Sequence, residues 1–249
     1  MESAVTVDQQ MKQPVGFLER TLTRFFMYPA RVSATENLSD SFRLIELQGD
    51  ALKDQHWTPG DKIQIKLGGG IATRTYTPMN WDTASGSIRF LAYCHGNGPG
   101  SELAKYLVIG DELTIFGPRK SLDLTKIGTD VLLFGDETSF GLAAALDAAG
   151  RSILSRQYVF EVNDRLKSVS VLAALGLASA HAVERRQDDT HLDELRKVVM
   201  QVKRHCTTFV LSGKASSVQK MHQSLRNRGV ESRKLHTKAY WAPGKVGLD

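Results

Sequence analysis

Short apolar runs alternating with polar residues dominate the first half of the chain. Arg43-Leu44-Ile45-Glu46-Leu47, Lys62-Ile63-Gln64-Ile65-Lys66-Leu67, Ser87-Ile88-Arg89-Phe90-Leu91 and Glu112-Leu113-Thr114-Ile115-Phe116 carry a period of two, the mark of strands with one buried face. Turn-forming groups separate them: Ser39-Asp40, Pro59-Gly60-Asp61, Gly68-Gly69-Gly70, Ser85-Gly86 and Ile109-Gly110-Asp111. From about Tyr28 to Pro118 this spacing predicts an antiparallel β-barrel, interrupted by one short helix near Gly100 to Leu107.

The pattern changes after Asp130. Val131-Leu132-Leu133-Phe134 is a continuous apolar run, and Ser139 to Ala149 has helical spacing. Gln157-Tyr158-Val159-Phe160-Glu161-Val162, Val169-Ser170-Val171-Leu172 and Thr207-Thr208-Phe209-Val210-Leu211 read as strands, and His191 to Met200 and Ser216 to Arg228 as helices. Strand–helix alternation predicts a parallel-sheet α/β domain of the nucleotide-binding type. The expected division is residues 1–125 for the barrel and 126–249 for the α/β domain, with the switch between Ser121 and Thr129.

The 249 residues can bury a substantial core, and 41% hydrophobic with 24% charged residues is ordinary for a globular chain. No apolar run is long enough for a transmembrane helix, so no membrane insertion is expected, and the polar stretch Met1 to Gly16 shows no secretory signal. The two cysteines, Cys94 and Cys206, are far apart and lack metal spacing, which fits a reducing cytoplasm and argues against a disulfide framework or an iron–sulfur cluster. A net charge of +5 raises the question of nucleic acid. Interleaved aromatic stacking positions and a basic helix face are both missing, so a solvated surface or attraction of an anionic small molecule fits better.

Three stretches carry candidate chemistry. Arg74-Thr75-Tyr76-Thr77-Pro78 sets an arginine and hydroxyls on a strand. Arg74 can hold a pyrophosphate through paired charge-assisted bonds, Tyr76 can pack against a flavin ring, and Thr77 can donate to its edge. The same stretch also reads as an ordinary edge strand ended by proline. In His95-Gly96-Asn97-Gly98-Pro99-Gly100-Ser101, the glycines let backbone amides approach an anion at a helix start; the alternative is a serine-capped surface loop with a structural histidine. Gly135-Asp136-Glu137-Thr138 follows the first strand of the second half, where open α/β sheets bind ligands, or else it only caps the next helix.

Taken together, these stretches resemble the siderophore-interacting protein family, a branch of the ferredoxin–NADP reductase superfamily. The family's Arg-x-Tyr-Thr matches Arg74, Tyr76 and Thr77, and its His-Gly-x-Gly-Pro-Ala-Ser matches His95 to Ser101 with Gly100 replacing alanine. Its Gly-Pro-Arg barrel exit matches Gly117-Pro118-Arg119, its Gly-Asp-Glu-Thr matches Gly135 to Thr138, and its Tyr-Trp-x-x-Gly matches Tyr240 to Gly244. Asp54-Gln55-His56 also fits. Departures are Met79 where a second arginine is usual, Lys214 where glutamate is usual, and Ala242 where arginine follows Tyr-Trp.

The resemblance implies an FAD-dependent oxidoreductase using NADPH or NADH, whose acceptor is an anionic ferric chelate of siderophore type. It implies cofactor contacts at Arg74, Thr75, Tyr76, Thr77, His95, Gly96, Gly98, Pro99, Gly100, Ser101, Gly135, Asp136, Glu137, Thr138 and Trp241, with no essential side-chain acid or base. Trp241 covers a flavin or adenine face, or simply closes the last strand. Lys53, Arg233, Lys238 and Lys245 are candidates for a basic rim, and Arg165, Lys167 and Lys214 for a 2′-phosphate; Glu161 keeps NADH open. A monomer is expected. Two other readings are a reductase of a protein acceptor (ferredoxin or flavodoxin) and a non-catalytic flavin or chelate carrier.

Overall fold

The computed structural model describes residues 27–68, 72–96, 98–124, 127–149, 155–202 and 208–245. Met1 to Gly16, Gly69, Gly70, Asn97, Cys206, Thr207 and the expected boundary between residues 125 and 126 lie outside the described residues.

Strands β1 (Met27–Asn37), β2 (Phe42–Gln48), β3 (Lys62–Lys66), β4 (Thr73–Tyr76), β5 (Pro78–Asp82), β6 (Ser87–Tyr93) and β7 (Glu112–Arg119) form a seven-stranded sheet in the order β4-β3-β7-β1-β2-β6-β5. Every ladder is antiparallel. The period-two pattern sends Ile45, Leu47, Ile63, Ile65, Ile88, Phe90 and Ile115 into one core. The sheet curls on itself, so that Tyr76 from edge strand β4 rests its ring 4.7 Å from Phe90 of β6. Helix α1 (Pro99–Tyr106) connects β6 to β7 and buries Ala104 in the same core.

The second sheet is parallel and five-stranded, with β8 (Asp130–Gly135), β9 (Ser155–Val162), β10 (His181–Glu184), β11 (Thr208–Lys214) and β12 (Leu235–Trp241) in the order β10-β9-β8-β11-β12. Its helices are α2 (Phe140–Ala148), α3 (Arg165–Ala174), α4 (His191–Val202) and α5 (Ala215–Asn227). A sheet covered on both faces accounts for the continuous apolar run in β8. Val131 and Leu133 join a core with Phe140, Leu142, Val171 and Leu172, while Leu132 and Phe134 face Leu192, Leu195, Val218 and Met221.

The core containing Phe140 continues into the barrel, where Phe42 and Leu91 are buried in it and Met79 and Tyr93 pack against it. Phe42 stacks on Phe140 with centroids 5.4 Å apart and rings 5° from parallel, and Phe140 meets Phe160 edge-on at 4.8 Å. Lys167 at the start of α3 reaches Asp40 of the β1–β2 turn at 2.8 Å.

Local structure departs from the sequence reading in three places. Val169 to Leu172 lies within α3 rather than in a strand: Asp164 caps the helix by accepting from the Lys167 amide, and Ser168, Val171 and Leu172 bury one helical face. The short strand β10 stands where none was expected. Pro78 opens β5 instead of ending the Arg74 strand.

Because Phe140 has no exposed surface and joins the two halves, Phe140→Ala is expected to cost about 3–5 kcal/mol. Urea denaturation measures it; a loss under about 1 kcal/mol would mean that the halves do not share a core.

Candidate active site

The strand carrying Arg74 meets the start of α1. Arg74 and Tyr76 alternate onto the same face of β4. The Arg74 side chain lies so close over Gly100 that a Cβ there would come within 2.5 Å of its Cγ, and the Tyr76 hydroxyl sits 3.4 Å from the Gly100 carbonyl. Glycine at position 100 therefore permits a close approach of arginine to the helix mouth. Among the described residues the Arg74 Nη1 donates to the Thr73 carbonyl, at 2.9 Å, and no carboxylate pairs with the guanidinium. Burial pushes the Tyr76 phenol well up and keeps it neutral.

Helix α1 starts at Pro99 with Gly98 as N-cap and no capping side chain, so its first amides keep their donor capacity. A Cβ at Gly98 would meet nothing within 4 Å, so the mouth is open. Ser101 does not cap the helix: its hydroxyl donates to the His95 carbonyl at 2.7 Å and holds the loop. The His95 ring lies 4.7 Å from that of Tyr93. An open helix N-terminus beside an arginine with no carboxylate partner among the described residues is an anion cradle, and its donors fit a pyrophosphate such as that of FAD.

Beyond Tyr76, the Thr77 hydroxyl is 3.4 Å from the Tyr240 hydroxyl, which brings the β4–β5 junction against the end of β12. The C-terminal edge of the parallel sheet is tied together there by Asp136. Its Oδ1 accepts from the Thr138 amide at 2.9 Å and hydroxyl at 2.5 Å; its Oδ2 accepts from the Lys214 amide at 2.8 Å and Trp241 Nε1 at 2.7 Å. Gly213, with φ +102, leaves room for this carboxylate, since a Cβ there would come within 2.6 Å of it. Four donors favour the charged form, yet complete burial, with Glu137 and Glu161 nearby, outweighs them and raises the Asp136 carboxyl to about 6.

Glu137 is also buried. Its Oε1 accepts from the Asn163 amide at 2.5 Å and from the Tyr93 hydroxyl at 3.4 Å, and its Oε2 from Arg185 at 3.1 Å. Asn163 Nδ2 donates to the Tyr93 hydroxyl at 2.9 Å, and Arg185 also bonds the Asn163 side-chain oxygen. Burial, followed by the Glu137 charge, lifts the Tyr93 phenol to about 12. Behind these groups, His191 accepts the Arg186 amide at Nδ1, so Nε2 carries the proton donated to Glu161 at 2.8 Å.

Among the residues singled out from sequence, Arg74, Tyr76 and Gly100 meet on the barrel side, and Asp136, Thr138 and Trp241 are bonded together at the sheet edge. The candidate rim does not converge. Lys53 pairs with Asp50 at 2.7 Å beside the β5–β6 turn, at the far end of β5 from Thr77. Arg233 pairs with Glu231 ahead of β12, at the opposite edge of the sheet from Trp241. Lys238 stands midway along β12, and Lys245 follows the turn after Trp241. Met79 packs into the interdomain core.

At the end of β9, Glu161 is 1% exposed and bound to His191, so it cannot meet a ribose hydroxyl. Lys167 is taken by Asp40, and the Lys214 ammonium lies 3.7 Å from Asp189. Among the described residues no carboxylate pairs with the terminal guanidinium nitrogens of Arg165, whose Nε donates to the Ala182 carbonyl at 3.1 Å. Tyr93, Asn163 and Arg185 escaped the sequence reading because each touches the others only through tertiary contact; Asn163, one residue past a predicted strand, carried the only local signal.

With its carboxyl raised above the unfolded value, Asp136 adds stability that is complete below pH 3.8 and is lost as pH rises through about 6. The difference is on the order of 3 kcal/mol. Comparing urea unfolding of the protein with that of Asp136→Asn from pH 4 to 7 should show a flatter profile for the variant; parallel profiles would contradict the raised carboxyl.

Two family profiles match the chain: "Siderophore-interacting protein" over residues 129–244 and "Siderophore-interacting FAD-binding domain" over residues 69–122. No curated protein matches significantly. Among solved structures, a siderophore utilization protein from T. fusca superposes with TM-score 0.73 at 20% identity, covering 90% of this chain and 95% of that one. The siderophore-interacting protein SipS from Aeromonas hydrophila gives 0.73 at 20% identity, covering 89% and 93%. A ferredoxin reductase in carbazole 1,9a-dioxygenase gives 0.70 at 16%, covering 86% and 69%. These likenesses show the fold of a ferredoxin-reductase-like FAD-binding barrel followed by a nicotinamide-nucleotide-binding domain. With profiles of the family matching both halves, the chain belongs to the siderophore-interacting protein family of FAD-dependent reductases.

Proposed function

We propose that this protein is an NAD(P)H-dependent flavin oxidoreductase that reduces a ferric chelate of siderophore type and so releases iron(II). The observation that carries the reading is the meeting of Arg74 and the open start of α1 on one side of Thr77 with the C-terminal sheet edge on the other. Bound FAD supplies the redox chemistry, taking hydride from the nicotinamide and passing electrons singly to iron. Hard oxygen ligands hold iron(II) far less tightly than iron(III), so reduction loosens the chelate.

The chain's own residues bind and orient. Arg74 and the first amides of α1 hold the pyrophosphate, and Tyr76 and Thr77 present one packing face and one hydroxyl at the ring. Trp241 is tied to Asp136 at the end of β12, on the Tyr240 side that meets Thr77. Arg165 at the start of α3, the candidate cation with no carboxylate partner among the described residues, meets the 2′-phosphate of NADPH. The dispersed positions of Lys53 and Arg233 favour a second reading, in which the acceptor is a protein that docks over the flavin instead of a small chelate held by a basic rim.

An anaerobic spectrum tests the main reading. FAD-loaded protein is expected to bleach with NADPH and recover its colour as iron(II) appears from a ferric catecholate chelate. Bleaching followed by fast recovery only with a [2Fe–2S] ferredoxin would favour the second reading, and failure to bleach with either nicotinamide would overturn both. Arg74→Ala is expected to weaken FAD binding ten- to a hundredfold by equilibrium titration. Arg165→Ala is expected to raise KM for NADPH about tenfold while leaving NADH unchanged; equal effects on both donors would remove the assignment.

A further inference from the structure

Arg185 occupies an unusual place for a charge. Its side chain is 13% exposed, just past β10, yet it reaches carboxylates from two other strand ends. One terminal nitrogen bonds Asn163, and the other bonds Glu137 at 3.1 Å and the Glu161 carbonyl at 3.3 Å. The guanidinium lies 6.0 Å from the centroid of the Trp241 ring. Burial opposes its charge, but Glu137, Glu161 and Asp136 more than offset that and hold it protonated.

The charge balance gives this placement its meaning. Asp136, Glu137 and Glu161 are all buried at this edge, and His191 accepts at Nδ1 and so adds no charge. The ammonium of Lys214 pairs with Asp189 at 3.7 Å, and Tyr93 and Tyr240 are neutral phenols. Among the described residues Arg185 is thus the cation that reaches into the cluster. The same guanidinium holds Asn163 in reach of Tyr93, the barrel residue whose ring also contacts His95 of the flavin motif.

We propose that Arg185 is a positioning residue for the nicotinamide end of the site: it balances the buried carboxylates, seats Trp241 and, through Asn163 and Tyr93, closes the barrel onto the sheet edge. This rests on the FAD- and nicotinamide-dependent reading above. Arg185 acts through Trp241 and Tyr93 and is assigned no contact with substrate. Its fork serves Asn163 and Glu137 at once, which a lysine, offering one point charge, cannot fully reproduce.

The test uses FAD-loaded protein with Arg185→Met, Arg185→Lys and Tyr93→Phe. The Trp241 indole N–H, assigned by its loss in Trp241→Phe, reports ionisation of Asp136 by NMR. Its pH midpoint is expected to rise by about one unit or more in Arg185→Met and to stay nearly in place in Arg185→Lys. Flavin bleaching by NADPH in stopped flow is expected to slow at least about tenfold in Arg185→Met, with KM and FAD content little changed, and to recover partly in Arg185→Lys. If Arg185→Met does not fold, Arg185→Lys and Tyr93→Phe should slow bleaching non-additively when combined. An unmoved midpoint, an additive pair, or variants that bleach like the parent would overturn the inference while leaving the proposed function standing. A parent protein that binds FAD and bleaches with neither nicotinamide would overturn that function and this inference with it.

Discussion

The stacked pair of Phe42 and Phe140 is the contact on which the rest of the molecule depends. Either half alone would leave an apolar face in water: the barrel the ring of Phe42, the parallel sheet the covering helix α2 and its first residue. Burying them in one core sets the distance and angle between the halves, because packed interiors tolerate little slippage. Part of the polar network at the sheet edge lies beside this seam. Tyr93 packs beside Phe42 at 4.8 Å, and Glu137 stands three residues before Phe140.

Polar contacts then refine what the apolar seam imposes. Asp136 draws the ends of β8, β11 and β12 to one carboxylate, and Glu137 draws in the ends of β6 and β9. Both are acids in the interior, which is costly unless donors converge on them. Here they do, which offsets part of that cost, more for Glu137 than for the raised Asp136, and ties the strand ends together. Within the Gly135 to Thr138 motif the two carboxylates are buried and hold strand ends together.

Surface charge behaves differently. Lys53, Lys167, Lys214 and Arg233 each find an acidic neighbour within 4 Å, and most such exposed pairs contribute little stability. Their effect is to remove cations from the pool available to an anionic ligand. Arg74 and Arg165 stand out because their guanidinium groups lack a carboxylate partner among the described residues, and both lie where an open helix mouth or a strand end would present them to phosphate.

Much of this architecture was legible in the chain itself. Period-two alternation marked four of the barrel strands, and the unbroken run Val131 to Phe134 marked a sheet covered on both sides, because local burial patterns are written residue by residue. The motifs around Arg74, His95 and Gly135 were likewise visible as short contiguous stretches. Local pattern misled where context overrode it: Val169 to Leu172 has the composition of a strand, but the Asp164 cap and one buried face make it a helix. Tertiary structure alone decided which charges were free, that Glu161 turns inward to His191, and that Arg185 joins Tyr93 to Trp241 across the fold. Those facts depend on side chains far apart in sequence meeting at one sheet edge, and no spacing along the chain encodes such a meeting.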